Sequence, residues 1–318
     1  MESIVKVQTS SDLFKHKEQT HTPARQIFGN FLFENEIGVL FGDSNTGKSY
    51  LAMDIAIHAA GGVNHFDNLV SPNVPTMYID MELTTKQFVG RYQAAADNDY
   101  IPNIFSRAEV DTLNIDEKNI LTYVRLNIIR QQHKHNAPKF IIIDNITNGF
   151  GNVTSASNMR KLISELKSLK ERFGLTFLLI AHCPKRKPLT PITQNDLGGS
   201  KMLINFCDSA FAIGTSVRGE DFRYIKQIKT REGKKSDTVT TIRFNSEPYT
   251  HFEYYEEVPE DWHFKTDAMS IHKNITPENE SILVDMWLRG ANMYQISEAT
   301  GIPTNAIVQY AIINNLNP

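Results

Sequence analysis

One run of eight residues constrains the fold of this chain more than any other feature. It starts at Gly42, ends at Ser49 and has the pattern Gly-x-x-x-x-Gly-Lys-Ser. A short apolar stretch, residues 37–41, precedes it, and residues 50–60 have the composition of a helix. A strand that turns through a glycine-rich loop directly into a helix is the opening unit of an α/β sheet. We therefore predict a mainly parallel sheet with helices on both faces.

The later sequence continues this alternation. Residues 76–81, 139–144 and 175–181 are predicted to be strands. The run 139–144 is nearly all β-branched or aromatic, which is typical of a strand buried on both faces, and 175–181 is also expected to be buried. Residues 121–131 are predicted to be helical. A second, amphipathic helix is indicated by apolar residues at helical spacing, namely Met159, Leu162, Ile163, Leu166, Leu169 and Phe173. Several β-rich segments between residues 208 and 255 are expected to form hairpins that close the sheet.

The chain of 318 residues, 41% of them hydrophobic, is long enough for one large α/β domain and a small additional unit. Changes in composition divide it into a polar N-terminal arm (1–30), the α/β domain (31–257), a polar linker (258–276) and a C-terminal unit (277–318). The last unit has the pattern of three short helices, with Gly290 and Gly301 at the turns and Pro303 at the start of the third helix. This pattern predicts a helix-turn-helix.

Composition also bears on location and partners. Cys183 and Cys207 cannot form a disulfide framework, and no apolar run is long enough to span a bilayer, so we expect a cytoplasmic protein with no membrane partner. The net charge of -3 gives no overall attraction to nucleic acid. Any contact with DNA must therefore come from local basic patches.

The glycine-rich run predicts a nucleotide site. Gly42 and Gly47 let the backbone approach phosphate groups, Lys48 can reach the β- and γ-phosphate oxygens, and the Ser49 hydroxyl can be a ligand of Mg²⁺. ATP and Mg²⁺ are the expected cofactors. Because backbone N–H groups from the whole loop and the start of the helix converge on phosphates, we assign the nucleotide contacts to Gly42, Asp43, Ser44, Asn45, Thr46, Gly47, Lys48, Ser49 and Tyr50.

Two carboxylates follow buried strands at the edge of the sheet where ligands bind in α/β folds. Asp144 comes after four apolar strand residues and can complete the Mg²⁺ shell as a second metal ligand beside Ser49. Glu82 ends the strand 78–82 and can deprotonate the attacking water. Asp80 is the competitor for that role, because strand alternation points it to the same face as Glu82.

These motifs, in this order, resemble those of the RecA-like ATPases, and most closely the RepA-type replicative helicases of plasmids and mobile elements. The resemblance covers residues 28–255 and rests on five blocks: 42–49, 78–83, 140–145, 178–182 and 228–233. It implies a RecA-like core in which His182, at the end of the strand after Asp144, senses the γ-phosphate. Where the family often has a second histidine, this chain has Cys183.

The resemblance also implies catalytic residues supplied by a neighbouring subunit. Lys229 and Arg231 match the Lys-x-Arg of a late strand that reaches the active site of the next subunit, with Arg231 as an arginine finger. Catalysis then requires a homo-oligomer, and the family's arrangement is a hexamer. The alternative is a solvated hairpin that carries a plain basic edge.

In the same family two loops face a central channel. They correspond to residues 147–158 and 183–201, and the second is basic. Such side chains suit the phosphate backbone of single-stranded DNA without reading its sequence, and the candidates are Lys185, Arg186, Lys187 and Lys201. A solvated charge run is the competing interpretation. The C-terminal unit has no Lys or Arg in its third helix, so we favour a protein-docking or self-association role for it over DNA binding.

The leading hypothesis is therefore a Mg²⁺-dependent ATPase that acts on DNA as a ring-forming helicase or translocase. The alternative is an ATP switch that controls assembly or recruits a partner without unwinding. A kinase on a P-loop scaffold is the least favoured, because Glu82 and the Lys229-x-Arg231 pair have no role in it.

Overall fold

The computed structural model describes residues 24–66, 72–110, 117–147, 150, 156–184, 186–187, 189–197, 201–264, 275–314 and 316. Two short strands, β1 (Gln26–Phe28) and β2 (Leu32–Phe33), form a hairpin before the main domain. Ile27 and Phe28 are buried against the core. Packed structure thus begins within the last residues of the segment predicted to be an arm, while residues 1–23 of that prediction lie outside the described residues.

The main domain alternates strands and helices in the predicted order. Its elements are β3 (Ile37–Gly42), α1 (Lys48–Ala59), β4 (Thr76–Asp80), α2 (Thr85–Asp97), β5 (Phe105–Glu109), α3 (Glu117–Gln131), β6 (Phe140–Asp144), α4 (Ala156–Phe173), β7 (Thr176–His182), α5 (Lys201–Phe206), β8 (Ser209–Thr215), β9 (Phe222–Lys229), β10 (Val239–Asn245) and β11 (His251–Val258). Of these, α2, β5 and α5 were not predicted.

Nine strands form one mixed sheet in the described part of the chain, in the order β11-β10-β9-β8-β3-β7-β6-β4-β5. The six strands from β8 to β5 pair in parallel, whereas β9, β10 and β11 continue the sheet by antiparallel pairing. The α/β fold class with a mainly parallel sheet and helices is confirmed. The β-rich region after residue 208 is also confirmed as hairpins that extend the sheet.

Apolar layers cover both faces of the sheet. One layer packs α4 on the sheet through Met159, Leu162 and Leu166. The other packs α1 on it through Leu51, Ile55 and neighbouring small residues. Helix α1 is buried around most of its circumference, so the loop before it is held in a fixed position relative to β3.

The C-terminal unit consists of helices α6 (Pro277–Leu288), α7 (Met293–Thr300) and α8 (Thr304–Ile313) around their own apolar core. It lies against the main domain: the Gln309 amide donates to the Phe264 carbonyl oxygen at 3.0 Å, and Tyr294 contacts the Trp262 ring. The helix-turn-helix assignment stays a prediction.

The start of the predicted linker differs from expectation. A 3₁₀ turn, Glu260–His263, packs on the main domain: Trp262 is buried in its apolar layer, and His263 is buried against the Tyr224 ring. Residues 265–274 of the linker lie outside the described residues. Across the helices that the structure describes, none has both the length and the apolar character needed to cross a membrane.

Candidate active site

The predicted motif residues meet at one edge of the sheet. The parallel register pairs Gly42 with His182 and Asp80 with Asp144, so four strands end side by side. In parallel α/β sheets this carboxyl edge is where ligands bind. The structure therefore brings together four regions of the chain, each more than thirty residues from the next.

The loop from Gly42 to Gly47 requires glycine at both of its ends. Gly47 has φ 94°, a left-handed conformation that favours glycine, and a Cβ there would lie 2.7 Å from the Phe252 ring. A Cβ on Gly42 would lie 2.5 Å from the Ile213 carbonyl oxygen. Helix α1 begins at Lys48 with no side-chain cap on its N-terminus. Its first N–H groups are therefore available to an anion such as a phosphate.

Lys48 is buried beneath this loop. Its ammonium group donates to the carbonyl oxygens of Gly42 at 3.0 Å and Asp43 at 2.6 Å, and the Thr46 hydroxyl donates to the same Asp43 oxygen at 2.9 Å. Burial lowers the pKa of Lys48, and nearby acidic groups oppose that shift. Ser44 and Asn45 are exposed on the outer side of the loop.

Asp144 has the environment of a metal ligand. Its Oδ2 accepts a hydrogen bond from the Tyr78 hydroxyl at 2.5 Å, while its buried Oδ1 has no hydrogen-bond partner among the described residues. Burial raises the pKa of Asp144 to about 6, and hydrogen bonds from Tyr78 and Ser49 oppose that rise. A buried carboxylate oxygen without a partner, beside a serine hydroxyl, fits a hard cation that prefers oxygen ligands.

Glu82 lies at the mouth of the site with two polar neighbours. Asn145 donates a short hydrogen bond from its amide to Glu82 Oε1, and His182 Nε2 is 3.7 Å from the same oxygen. Asn145 Nδ2 and His182 Nε2 are 3.0 Å apart. The His182 side chain beside it lowers the pKa of Glu82 against the effect of burial. The carboxylate is therefore ionised at neutral pH and can accept a proton.

Asp80 has a different role from Glu82. Its Oδ1 accepts from the backbone N–H groups of Glu82 at 3.0 Å and Leu83 at 2.9 Å. Its Oδ2 is 2.9 Å from the Arg107 guanidinium, and the side chain is only 2% exposed. Asp80 thus fixes the turn that carries Glu82, and both of its own carboxylate oxygens are engaged.

Strands β9, β10 and β11 form one side of the site, which the sequence analysis did not predict. A cleft of about 1120 Å³ opens over the loop, lined by predicted residues such as Tyr50 and His182. Arg223, Phe244 and Phe252 line its other side, because β9 starts, β10 ends and β11 starts at the carboxyl edge. Tyr50 contacts Phe244 edge to face, and Arg91 lies over the Tyr50 ring.

The predicted DNA-binding side chains are placed differently from one another. Arg186 was expected on an exposed loop, but its guanidinium is buried, is 2.9 Å from Asp43 Oδ2 and donates to the Thr190 carbonyl oxygen. The arginine therefore pairs with a carboxylate of the nucleotide loop, and its contact with DNA stays a prediction. Lys187 is exposed. Lys185 lies outside the described residues, as does the side chain of Lys201 at the start of α5.

The predicted trans-acting pair lies far from the nucleotide loop of its own chain. Lys229 ends β9 opposite Ala210, at the amino edge of the parallel strands, and donates to the carbonyl oxygens of Ile204 and Cys207. Arg231 is more than half exposed and forms an ion pair with Asp208 at 2.7 Å. Neither side chain can serve the site of its own subunit.

Comparison with protein families matches residues 4–188 to a family described as an AAA domain. The match covers more than half of the 318 residues and includes the glycine-rich loop, Glu82, Asp144 and His182. A search of curated proteins finds no match to the chain.

Proposed function

Because the chain belongs to the AAA domain family and is an ATPase of the P-loop class, we propose that it hydrolyses ATP with Mg²⁺ in the cleft at the carboxyl edge of its sheet. The observation that carries this proposal is the arrangement of two carboxylates beside the loop. Asp144 presents, next to Ser49, a buried oxygen that has no hydrogen-bond partner among the described residues, and Glu82 is held at the open mouth by Asn145 and His182.

In this proposal Ser49 and Asp144 hold the Mg²⁺ ion, which when bound neutralises phosphate charge. The N–H groups at the start of α1 and the Lys48 ammonium bind the phosphate oxygens. Lys48 then exchanges its bonds to the loop carbonyl oxygens for bonds to phosphate. Tyr50 and Phe244 offer aromatic faces for the base.

Glu82 acts as the general base. It accepts a proton from a water molecule as the water oxygen attacks the γ-phosphorus, and the bond from that phosphorus to the bridging oxygen breaks to release ADP. Because its pKa is lowered, Glu82 stays ionised below the usual pKa of 4.5 for this side chain. Asn145 fixes the carboxylate, and His182 senses the γ-phosphate beside it.

We further propose that the ATPase acts on DNA, as a ring-forming helicase or translocase. This finer proposal is supported by the order of the motifs and by the exposed Lys187 near the site, together with the Lys185 and Lys201 predictions. The burial of Arg186 against Asp43 favours a second candidate, an ATP switch that changes assembly without unwinding. In that candidate the C-terminal unit docks a partner protein.

ATP binding and hydrolysis by purified protein, with and without Mg²⁺, test the chemistry. We expect Glu82→Gln to bind ATP like the parent and to lose roughly 10²–10⁴-fold in kcat, because only the proton acceptor is removed. Lys48→Ala is expected to lose binding as well. Glu171→Gln, an exposed glutamate at the end of α4, is the control and should retain parental turnover. Parental turnover by Glu82→Gln would exclude the proposed base.

Single-stranded and forked DNA separate the two finer candidates. A helicase shows turnover stimulated by single strands, unwinds the fork, and loses both activities in Lys187→Ala while basal hydrolysis persists. Hydrolysis stimulated by DNA without unwinding supports the switch. If DNA changes neither turnover nor assembly, both the helicase and a switch that responds to DNA are excluded.

A further inference from the structure

Three potential metal ligands converge at a point separate from the proposed Mg²⁺ ligands. His65 lies in the loop after α1, while His251 and Glu253 lie at the start of β11. One ligand atom from each residue can be chosen so that all three atoms lie within 4.8 Å of one another. The two imidazole rings stack with centroids 3.7 Å apart. The cluster therefore joins two segments that are almost two hundred residues apart in the sequence.

The hydrogen bonding of His251 leaves its second ring nitrogen facing a carboxylate oxygen. Its Nδ1 is 2.7 Å from the Tyr249 carbonyl oxygen, which can only accept, so Nδ1 carries a hydrogen. In the neutral ring Nε2 then carries a lone pair, and it faces Glu253 Oε1 at 3.3 Å. Two acceptor atoms at this distance repel unless a proton or a metal ion lies with them. His251 is buried, so water cannot screen the contact well.

Other contacts hold the three side chains in place, as outer hydrogen bonds do at metal centres. The Tyr249 hydroxyl is 3.0 Å from Nε2 of His65, and the Asn245 amide donates to Glu253 Oε1 at 2.9 Å. The backbone N–H of Tyr254 donates to the His65 carbonyl oxygen at 2.9 Å, which fixes the loop against β11.

We propose that His65, His251 and Glu253 bind one divalent transition-metal ion, with Zn²⁺ the best match. Two imidazoles and one carboxylate are a common ligand set for zinc, and water can fill the remaining position. Mg²⁺ suits this site poorly because it prefers oxygen ligands.

The bound ion would link the nucleotide loop to the end of the sheet. Phe252 lies between the two ligands of β11, packs against Gly47, and donates its N–H to Asp54 of α1 at 2.8 Å. His65 follows the other end of the same helix. A metal ion at this point therefore clamps β11 against both ends of α1, and it stabilises the folded state through binding.

The test uses full-length protein stripped of metal, titrated with Zn²⁺ in competition with a chromophoric chelator. We expect one tight equivalent, a rise of several degrees in Tm, and visible absorption of bound Co²⁺ that reports nitrogen and oxygen ligands. Glu253→Gln is the main variant, since Glu253 is partly exposed and glutamine keeps the acceptor for Asn245. It should weaken Zn²⁺ binding at least about 10-fold and give a smaller Tm rise at the same Zn²⁺ concentration.

Two controls make the result specific. Glu257→Gln on the same strand and His135→Ala on the surface should bind Zn²⁺ like the parent. His65→Gln should no longer bind one equivalent of Zn²⁺ but should still bind ATP, which would show that this variant folds. Zn²⁺ binding of parental strength by Glu253→Gln would place the ion elsewhere. If the metal-free parent protein takes up no Zn²⁺, a proton lies between His251 Nε2 and Glu253 Oε1, and the proposal fails. Neither result depends on whether the protein hydrolyses ATP.

Discussion

At the scale of single residues, two carboxylates only two positions apart make different contacts. Asp80 ends β4 and has both oxygens engaged by backbone N–H groups and Arg107. Glu82 follows the end of the strand, where alternation no longer applies, and turns toward the cleft. Removing Asp80 should therefore affect stability, whereas removing the charge of Glu82 should affect turnover.

Asp80→Ala is predicted to lower the free energy of unfolding by about 1.5–3 kcal/mol, because it removes the buried carboxylate that pairs with Arg107 and leaves that arginine with the more exposed Glu109. Urea denaturation measures this. Asp285→Ala is the matched control, since it also removes an aspartate paired with an arginine, but both groups are exposed, so we expect at most about 1 kcal/mol. Equal midpoints for Asp80→Ala and the parent would mean that the buried pair contributes nothing.

Asp54 predicts a pH dependence of stability. It is buried on α1, and burial raises its pKa well above the ordinary value of 3.8. The folded state therefore holds the proton more tightly than the unfolded state, so this contribution is complete below pH 3.8 and is lost as pH rises toward the folded pKa. Asp54→Asn keeps an acceptor for Phe252 N–H and cannot ionise.

We expect the free energy of unfolding of Asp54→Asn, relative to the parent, to increase as the pH rises above the ordinary pKa of 3.8. Denaturation curves at several pH values for both proteins measure the difference, and other titrating groups cancel. Asp97→Asn, at the exposed end of α2, is the control and should show no such trend. A difference that falls with pH would contradict the assigned direction.

Sequence motifs predicted the residues whose chemistry depends on local spacing, such as Gly47, Lys48 and Asp144. They did not predict Arg186 beside Asp43, because the two residues are 143 positions apart and only the register of β3 and β7 brings their loops together. Asp54 was missed for the same reason: its partner is the backbone of β11.

At the scale of elements, the three strands after β8 determine one side of the nucleotide cleft. Breaks at Gly219, Gly233 and Pro248 predicted the hairpins. They could not predict that Phe244 ends β10 at the carboxyl edge, because this depends on the antiparallel order of β9 and β10 in the sheet. For α2 a local signal did exist, since Thr84 and Gln87 form a capping box at its start.

Tyr50→Ala and Phe244→Ala are each predicted to weaken binding of ATP and ADP equally, by about 1–3 kcal/mol, if the two rings contact the base. Equilibrium binding of a fluorescent nucleotide measures both. Tyr255→Ala is the control, because Tyr255 lies on β11 but outside the cleft and packs on Phe222. Parental affinity in both variants would show that the base binds elsewhere in the cleft.

At the scale of the whole molecule, the sheet separates the nucleotide loop from the predicted trans-acting pair. The nucleotide loop lies at the carboxyl edge, while Lys229 and Arg231 lie at or just beyond the opposite end of β9. An arginine at that end cannot reach across its own sheet. If it stabilises the phosphate charge during hydrolysis, it must do so for another copy of the chain, after leaving its ion pair with Asp208.

This arrangement predicts that two inactive variants restore activity when mixed. Lys48→Ala lacks the phosphate-binding ammonium but keeps Arg231, while Arg231→Ala keeps a complete pocket and lacks the finger, so each alone should hydrolyse ATP poorly. In a randomly mixed ring, a pocket is complete where an Arg231→Ala subunit faces a Lys48→Ala neighbour, which occurs at about a quarter of the interfaces. We therefore expect an equimolar mixture to recover roughly that fraction of parental turnover, measured as phosphate release after subunit exchange. Lys234→Ala, from the same exposed basic segment, should retain parental activity and controls for lost surface charge. If Arg231→Ala alone turns over like the parent, or if the mixture stays as inactive as its components, catalysis is not shared between subunits.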